Sequence, residues 1–382
     1  MKGSGGPSVS RWICLCAGLA VLGAPAVSAG GEIPFEAVVI DGKGPANPWA
    51  KMTGDLNGDG LVDVVIGGQN GPLVWYAAPE WKKTLIIEGG YQTVDGELGD
   101  VDGDGDLDGV MGGILWYENP RPKGSAAQGP WAAHRIGKHD THDLELADLD
   151  GDGRLDVLAR GQSGFGRKFG NKIFIWKQTA AAGRSAWPER VLEAPHGEGI
   201  SLADLDRDGD PDIVIGGAWY ENAKDILKGE WPRHTFADWH EDAVVKAGDV
   251  NGDGRLDVVL TRSEGPYKVS WFEAPADPRQ GNWPEHVMSD SFDFAHSLEL
   301  ADMDADGDLD AVTAEMHQSE RDRVVVFVNE GQGARWTMQV LSTKGSHNLR
   351  VADIDSDGDM DVVGANWSGP YQPVELWKNK MR

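Results

Sequence analysis

Cysteine is nearly missing: the 382-residue chain has two, Cys14 and Cys16. Both lie in an apolar segment near the N-terminus, so no disulfide framework stabilises the rest. Cations are scarce as well, with 35 lysines and arginines against 62 aspartates and glutamates and a formal charge of −27. That balance argues against nucleic acid and against an anionic membrane surface as partners. Beyond the N-terminal segment no apolar run is long enough to span a bilayer. No Ser/His/Asp nucleophile arrangement, no glycine-rich nucleotide loop and no CxxC pair occurs. What is abundant is glycine (52) and tryptophan (16). The glycine count points to many turns rather than long helices.

Residues 1–29 read as a signal peptide. Lys2 and Arg11 form a basic start, Trp12 to Val27 is apolar, and Val27-Ser28-Ala29 ends in small residues. The expectation is an exported protein, secreted or periplasmic, with residues 30–382 as a single domain.

A repeat decides the architecture. The pattern D-x-[DN]-x-D-G-x-x-D occurs seven times, starting at Asp55, Asp100, Asp148, Asp204, Asp249, Asp302 and Asp353. Its third position is Asn57, Asp102, Asp150, Asp206, Asn251, Asp304 or Asp355. Its fifth is Asp59, Asp104, Asp152, Asp208, Asp253, Asp306 or Asp357. Its ninth is Asp63, Asp108, Asp156, Asp212, Asp257, Asp310 or Asp361. Glycine always fills the sixth. Ca²⁺ takes ~6–8 oxygens, and alternate acidic residues around a glycine turn converge on one point. An EF-hand would need flanking helices and a glutamate at its twelfth position; here short alternating strands flank each loop. The expectation is up to seven structural Ca²⁺ ions, which would reduce the formal charge from −27 to −13.

Each repeat also contains an apolar run, a short strand centred on Trp75, Trp116, Trp176, Trp219, Trp271, Phe327 or Trp377, and a strand opening near a further tryptophan. Four short strands per repeat indicate a seven-bladed, all-β propeller. The last repeat stops after its third strand, and Phe35 to Ile40 is an orphan strand. That strand is expected to complete the last blade and close the ring.

These loops resemble the FG-GAP/VCBS repeats of integrin α-subunit propellers and of secreted bacterial proteins. The resemblance covers nearly all of residues 30–382 and implies fold and calcium; it does not imply one activity, because such scaffolds host many. More distantly, the repeat organisation and polar loops are similar to the propeller domain of aldos-2-ulose dehydratase, whose cupin domains this chain lacks. Propeller polysaccharide lyases give a precedent, by analogy, for histidine chemistry on such a ring.

Some residues are not explained by the repeat. Trp49, Trp239 and Trp367 fall on loops of the face opposite the calcium loops, as a stacking platform for sugar rings or simply as loop packing. His134, His234 and His286 each follow a fourth-strand tryptophan by three residues and are expected to face solvent. His142, His296 and His347 each precede their own calcium loop by six residues, and Glu198 holds the same register in blade four. That register starts the innermost strand, so the four should converge at the axis. His317, His240, Arg160, Arg167, Lys168, Arg262, Tyr267, Arg321 and Tyr371 lie in loops of the same face. They suit an anionic or hydroxyl-rich ligand, or ordinary loop solvation.

Two functions fit. One is a carbohydrate lyase or dehydratase, with histidine as base or acid, Arg262 or Arg160 neutralising a carboxylate and Tyr267 donating a proton. In a variant of it, His142, His296 and His347 hold a transition metal such as Zn²⁺. The other is a non-catalytic glycan- or protein-binding propeller. The unexplained residues differ from blade to blade, which favours one asymmetric site.

Overall fold

The computed structural model describes residues 31–91, 95–161, 171–179 and 187–382. The N-terminal segment expected to be a signal peptide, with its two cysteines, and Arg167 and Lys168, lie outside the described residues. The described residues form seven four-stranded antiparallel sheets and no helix.

Each sheet is a blade whose first strand is innermost: Pro48–Gly54, Gly96–Gly99, Asp143–Ala147, Ser201–Ala203, Ala243–Gly248, Ala295–Ala301 and His347–Ala352. Each of these strands touches the next, and the seventh touches the first, so the ring is closed. Blade seven is composite. Its third strand, Val374–Asn379, pairs with Phe35–Asp41, placing Phe35 opposite Asn379 and Ala37 opposite Trp377. The orphan strand therefore sits in the place its sequence position required.

The second strands are buried almost throughout, Asp63–Gly68 and Asp156–Gly161 at every residue, because neighbouring blades cover both faces. Their apolar, β-branched runs suit that setting. Apolar clusters fill each gap between blades. Met52 and Trp75 pack with Met111 and Tyr117 between blades one and two. Val64 and Tyr76 pack with Val363 and Leu376 between blades one and seven.

His134, His234 and His286 depart from the expectation of plain solvent exposure. They stack on Trp116, Trp219 and Trp271 at 4.4, 4.5 and 4.1 Å between ring centroids. Each also meets a glutamate, Glu118, Glu221 or Glu273. Cross-strand neighbours in a pleated sheet lie close enough for ring stacking, so a nominally outward histidine covers its tryptophan.

Candidate functional site

The aspartate loops occupy one face. In blade one, Asp55 Oδ1 accepts from the amides of Gly58 (2.7 Å) and Asp59 (3.1 Å), and Oδ2 from Gly60 (2.9 Å). The sixth-position glycine has positive φ, +89° at Gly60, which is why glycine recurs there. The ninth aspartate does a different job. Asp63 is fully buried and accepts from the amides of Leu56 and Ala78. Asp108, Asp156, Asp212, Asp257, Asp310 and Asp361 repeat this double acceptance. It ties each loop to the end of its own third strand. In blades two, three and four, oxygens of the first, third and ninth aspartates lie within 4.8 Å of one another. An all-oxygen set of that size fits a hard divalent cation.

The opposite face carries a cavity of about 220 Å³ at the axis. Trp49 and Trp367 form one wall, their rings edge-to-face at 5.2 Å. His142, His296 and His347 form the floor, and Glu264, Met316 and Gln318 the rest. The three histidines are 7, 6 and 3 % exposed, and Glu198, just beneath them, is 1 % exposed. His142 Nε2 lies 3.3 Å from Glu198 Oε2, and His296 Nε2 lies 3.5 Å from Glu198 Oε1. The His347 ring stacks on His296 at 4.3 Å. Ser263 Oγ donates to Glu198. One register position in four blades has thus been gathered into a single polar floor under aromatic walls.

Backbone geometry fixes Glu198. A Cβ at Gly197 would stand 1.7 Å from the Glu241 carbonyl oxygen, and one at Gly199 1.9 Å from that of Ala243. Only glycine on both sides lets this segment press against blade five. From below, Arg160 donates to the carbonyls of Glu198 (2.6 Å), Gly199 (2.7 Å) and Pro195 (3.2 Å). Arg160 is 2 % exposed, so it positions Glu198 rather than facing a ligand.

Electrostatics divides the histidines. Burial opposes charge on His142, but Asp143 and Glu198 outweigh it and push its pKa up to about 9. Burial, then the neighbouring His296 and Lys51, hold His347 well below the usual histidine range. The floor therefore pairs a cationic imidazole with a neutral one. Burial also raises the Glu264 carboxyl, against the opposing pull of His296.

A protein-family model described as an FG-GAP-like repeat matches residues 55–111, 148–215 and 249–313. The matched segments run through these loops and the strands that flank them. The chain belongs to the FG-GAP repeat propellers. No curated protein matches this FG-GAP propeller in sequence. Among solved structures it is similar to BBS1N, crystallised in complex with ARL6DN, at TM-score 0.56 and 13% identity, covering 90% of this chain and 96% of that one. It is also similar to Sqt1 of Saccharomyces cerevisiae, at TM-score 0.51 and 11% identity, covering 91% and 98%. At such identities the likeness concerns the fold alone.

Other expected residues of the FG-GAP propeller lie away from the cavity. Trp239 packs edge-on against Tyr267 (5.0 Å) and Phe272 (5.6 Å), and its indole donates to the Thr261 carbonyl. His240 sits beside Asp242, 3.8 Å away. Arg262 donates to the Pro266 carbonyl within its own hairpin. His317 packs against the outer side of Trp367, at 5.2 Å. Arg321 pairs with the buried Glu315. Tyr371 donates to Glu375 and meets Lys344 beside a second depression lined by Lys43 and Pro45. Sequence reasoning missed Ser263, Glu264 and Gln318. Their signal was position alone: they follow the second strands of blades five and six, in the same loop class as Arg262 and His317.

Proposed function

We propose that this is an exported, calcium-stabilised propeller that acts on carbohydrate at its axial cavity, as a sugar or polysaccharide lyase or dehydratase. The observation that carries the reading is the convergence of His142, Glu198, His296 and His347 under Trp49 and Trp367. Indole faces stack on sugar rings, and the cavity volume is of the order of one monosaccharide. The residues of the floor supply proton transfer. His347, held neutral, takes the proton next to a carbonyl or carboxylate. The C–H electron pair moves into an enolate. A double bond forms as the β-oxygen departs, and that oxygen receives a proton from Glu264, whose carboxyl burial biases toward the acid form. The cationic His142 stabilises the enolate charge.

The same floor suits a transition metal such as Zn²⁺. Two ligands of a tetrahedral zinc at ~2.0–2.1 Å lie about 3.3–3.4 Å apart. His142 lies 3.3 Å from one Glu198 oxygen and His296 3.5 Å from the other, and one donor atom from each of the three residues lies within 4.8 Å of the others. His142, Glu198 and His296, with Glu198 in place of the His347 expected from sequence, would hold the ion, and it would polarise the oxygen that becomes enolate.

Incubation with uronate polysaccharides and ketosugars tests the reading, with absorbance of an unsaturated product as the signal. Product formation that is lost in His296→Ala supports it. No product with any substrate, together with unchanged glycan binding by His296→Ala, removes it. Glycan binding without product, lost in the same variant, would favour the non-catalytic binding propeller. Metal analysis of the purified chain separates the metal version from the metal-free one. N-terminal sequencing of protein recovered outside the cytoplasm checks export and cleavage after Ala29.

A further inference from the structure

The seven aspartate loops differ in what surrounds them. In blade three, Lys177 pairs with Asp150 and lies 3.0 Å from Asp152. In blade four, Arg279 pairs with Asp206 and, at 2.9 Å, with Glu221. In blade seven, Lys378 Nζ is 3.2 Å from Asp355, and Lys380 is 3.4 Å from Asp357. Asp150, Asp206 and Asp355 share one register, the third position of the loop.

Two of these cations share a register too. Lys177 and Lys378 each follow the third-strand tryptophan, where the other blades carry Tyr76, Tyr117, Tyr220, Phe272 or Val328. A slot that is otherwise apolar holds an ammonium in these two blades, aimed at the loop. Arg279 reaches blade four from the third-to-fourth-strand connection of blade five. Among the described residues of blades one, two and six, no lysine or arginine pairs with a loop carboxylate at the four repeating aspartate or asparagine positions. In blade five only Arg255, part of the loop itself, pairs with the fifth-position Asp253, and the third position is the uncharged Asn251.

We propose that Lys177, Arg279 and Lys378 are resident cations that claim the third-position carboxylate and divide the loops into two classes. Loops one, two, five and six have no resident cation on the third position, although in loop five Arg255 holds the fifth-position Asp253. Loops three, four and seven are partly neutralised by the protein, and an entering Ca²⁺ must displace a cation or sit beside it. Like charges a few ångströms apart then weaken calcium by about tenfold or more. Blade seven gains most from this arrangement. It is the sheet on which the N-terminal strand docks, and there Lys378 and Lys380 offset the charge of the loop. The division rests on the calcium reading of the loops made above.

Isothermal titration of the chelator-stripped full chain with calcium chloride tests it. Four sites are expected in the tight class. Lys177→Gln should add a fifth, and Lys378→Gln combined with Lys380→Gln another. Seven equivalent sites in the unaltered chain, or a tight-class count unmoved by Lys177→Gln, would overturn the division. If the variants fail to fold, crystals of the unaltered chain grown at limiting calcium decide the matter. Density filling loops one, two, five and six first supports the division, and filling of three, four and seven first overturns it. No calcium binding anywhere would remove the underlying reading and the division with it.

Discussion

At the residue scale, the same side-chain type carries opposite duties within one loop. Asp310 is fully buried and accepts from the amides of Met303 and Asn329, each at 2.7 Å. Asp306, four residues earlier, is exposed. Asp310→Ala leaves two buried amides without acceptors, each costing about 1–3 kcal/mol, so a loss of about 2–6 kcal/mol is expected. Asp306→Ala, measured in chelator, should change stability by under about 0.5 kcal/mol, as at ordinary surface sites. Urea unfolding of both variants checks the contrast, and equal losses would refute it. Arg160 makes the same point for the axial cavity. Its guanidinium reads from sequence as a ligand contact, yet it is spent on three backbone carbonyls that hold Glu198 in place.

At the element scale, third strands latch neighbouring blades together. Asn119, Asn222, Asn329 and Asn379 end their third strands and donate across to the loop of the preceding blade, at the carbonyls of Leu56, Leu149, Val250 and Met303. Gln178 does the same to Val101. Asn329→Ala removes bonds of 2.9 and 3.1 Å to Val250 and Leu309 and should cost about 1–3 kcal/mol by thermal unfolding. The innermost strands add a belt of charge around the channel. Arg350 meets Asp95 (3.0 Å), Glu97 (3.2 Å) and Glu299 (3.7 Å), and Lys246 meets Glu299 (3.3 Å). Burial, reinforced by Asp95 and opposed by Arg350, raises Glu97 to about 8, and burial raises Glu145 to about 7. Between the ordinary glutamate range and those values the folded chain holds protons that the unfolded chain has released. Stability from these groups is therefore full at low pH and is lost as pH rises through about 7–8. Glu97→Gln should raise the melting temperature at pH 8 more than at pH 5. An equal shift at both would contradict the belt's titration.

At the scale of the whole molecule, the ring is closed by pairing of distant segments. Phe35–Asp41 and Val374–Asn379 lie at opposite ends of the described chain. Removing residues 31–41 exposes the third strand of blade seven as a new edge, and self-association is the expected result by light scattering. Chelation should lower the melting temperature of the intact chain, because ions bound only by the folded state stabilise it. A melting curve indifferent to chelator would contradict the calcium proposal.

Seven copies of one aspartate pattern, the tryptophan strand after each and an unpaired N-terminal strand sufficed to determine blade number, strand count and the order of closure. Those are periodic properties, and period is local information. The register shared by His142, His296, His347 and Glu198 also foretold that they would meet, because the innermost strands of a ring converge on its axis. The fate of single loop side chains was not local. Trp49 and Trp367 reach the cavity while Trp239 turns to Tyr267 and Phe272, and this depends on which neighbouring blade offers a surface. Glu264 and Gln318 came to line the site through long-range packing, and the latches from Asn119 to Asn379 span blades. Short-range spacing specifies which faces exist; only tertiary packing selects which loop side chain occupies each face.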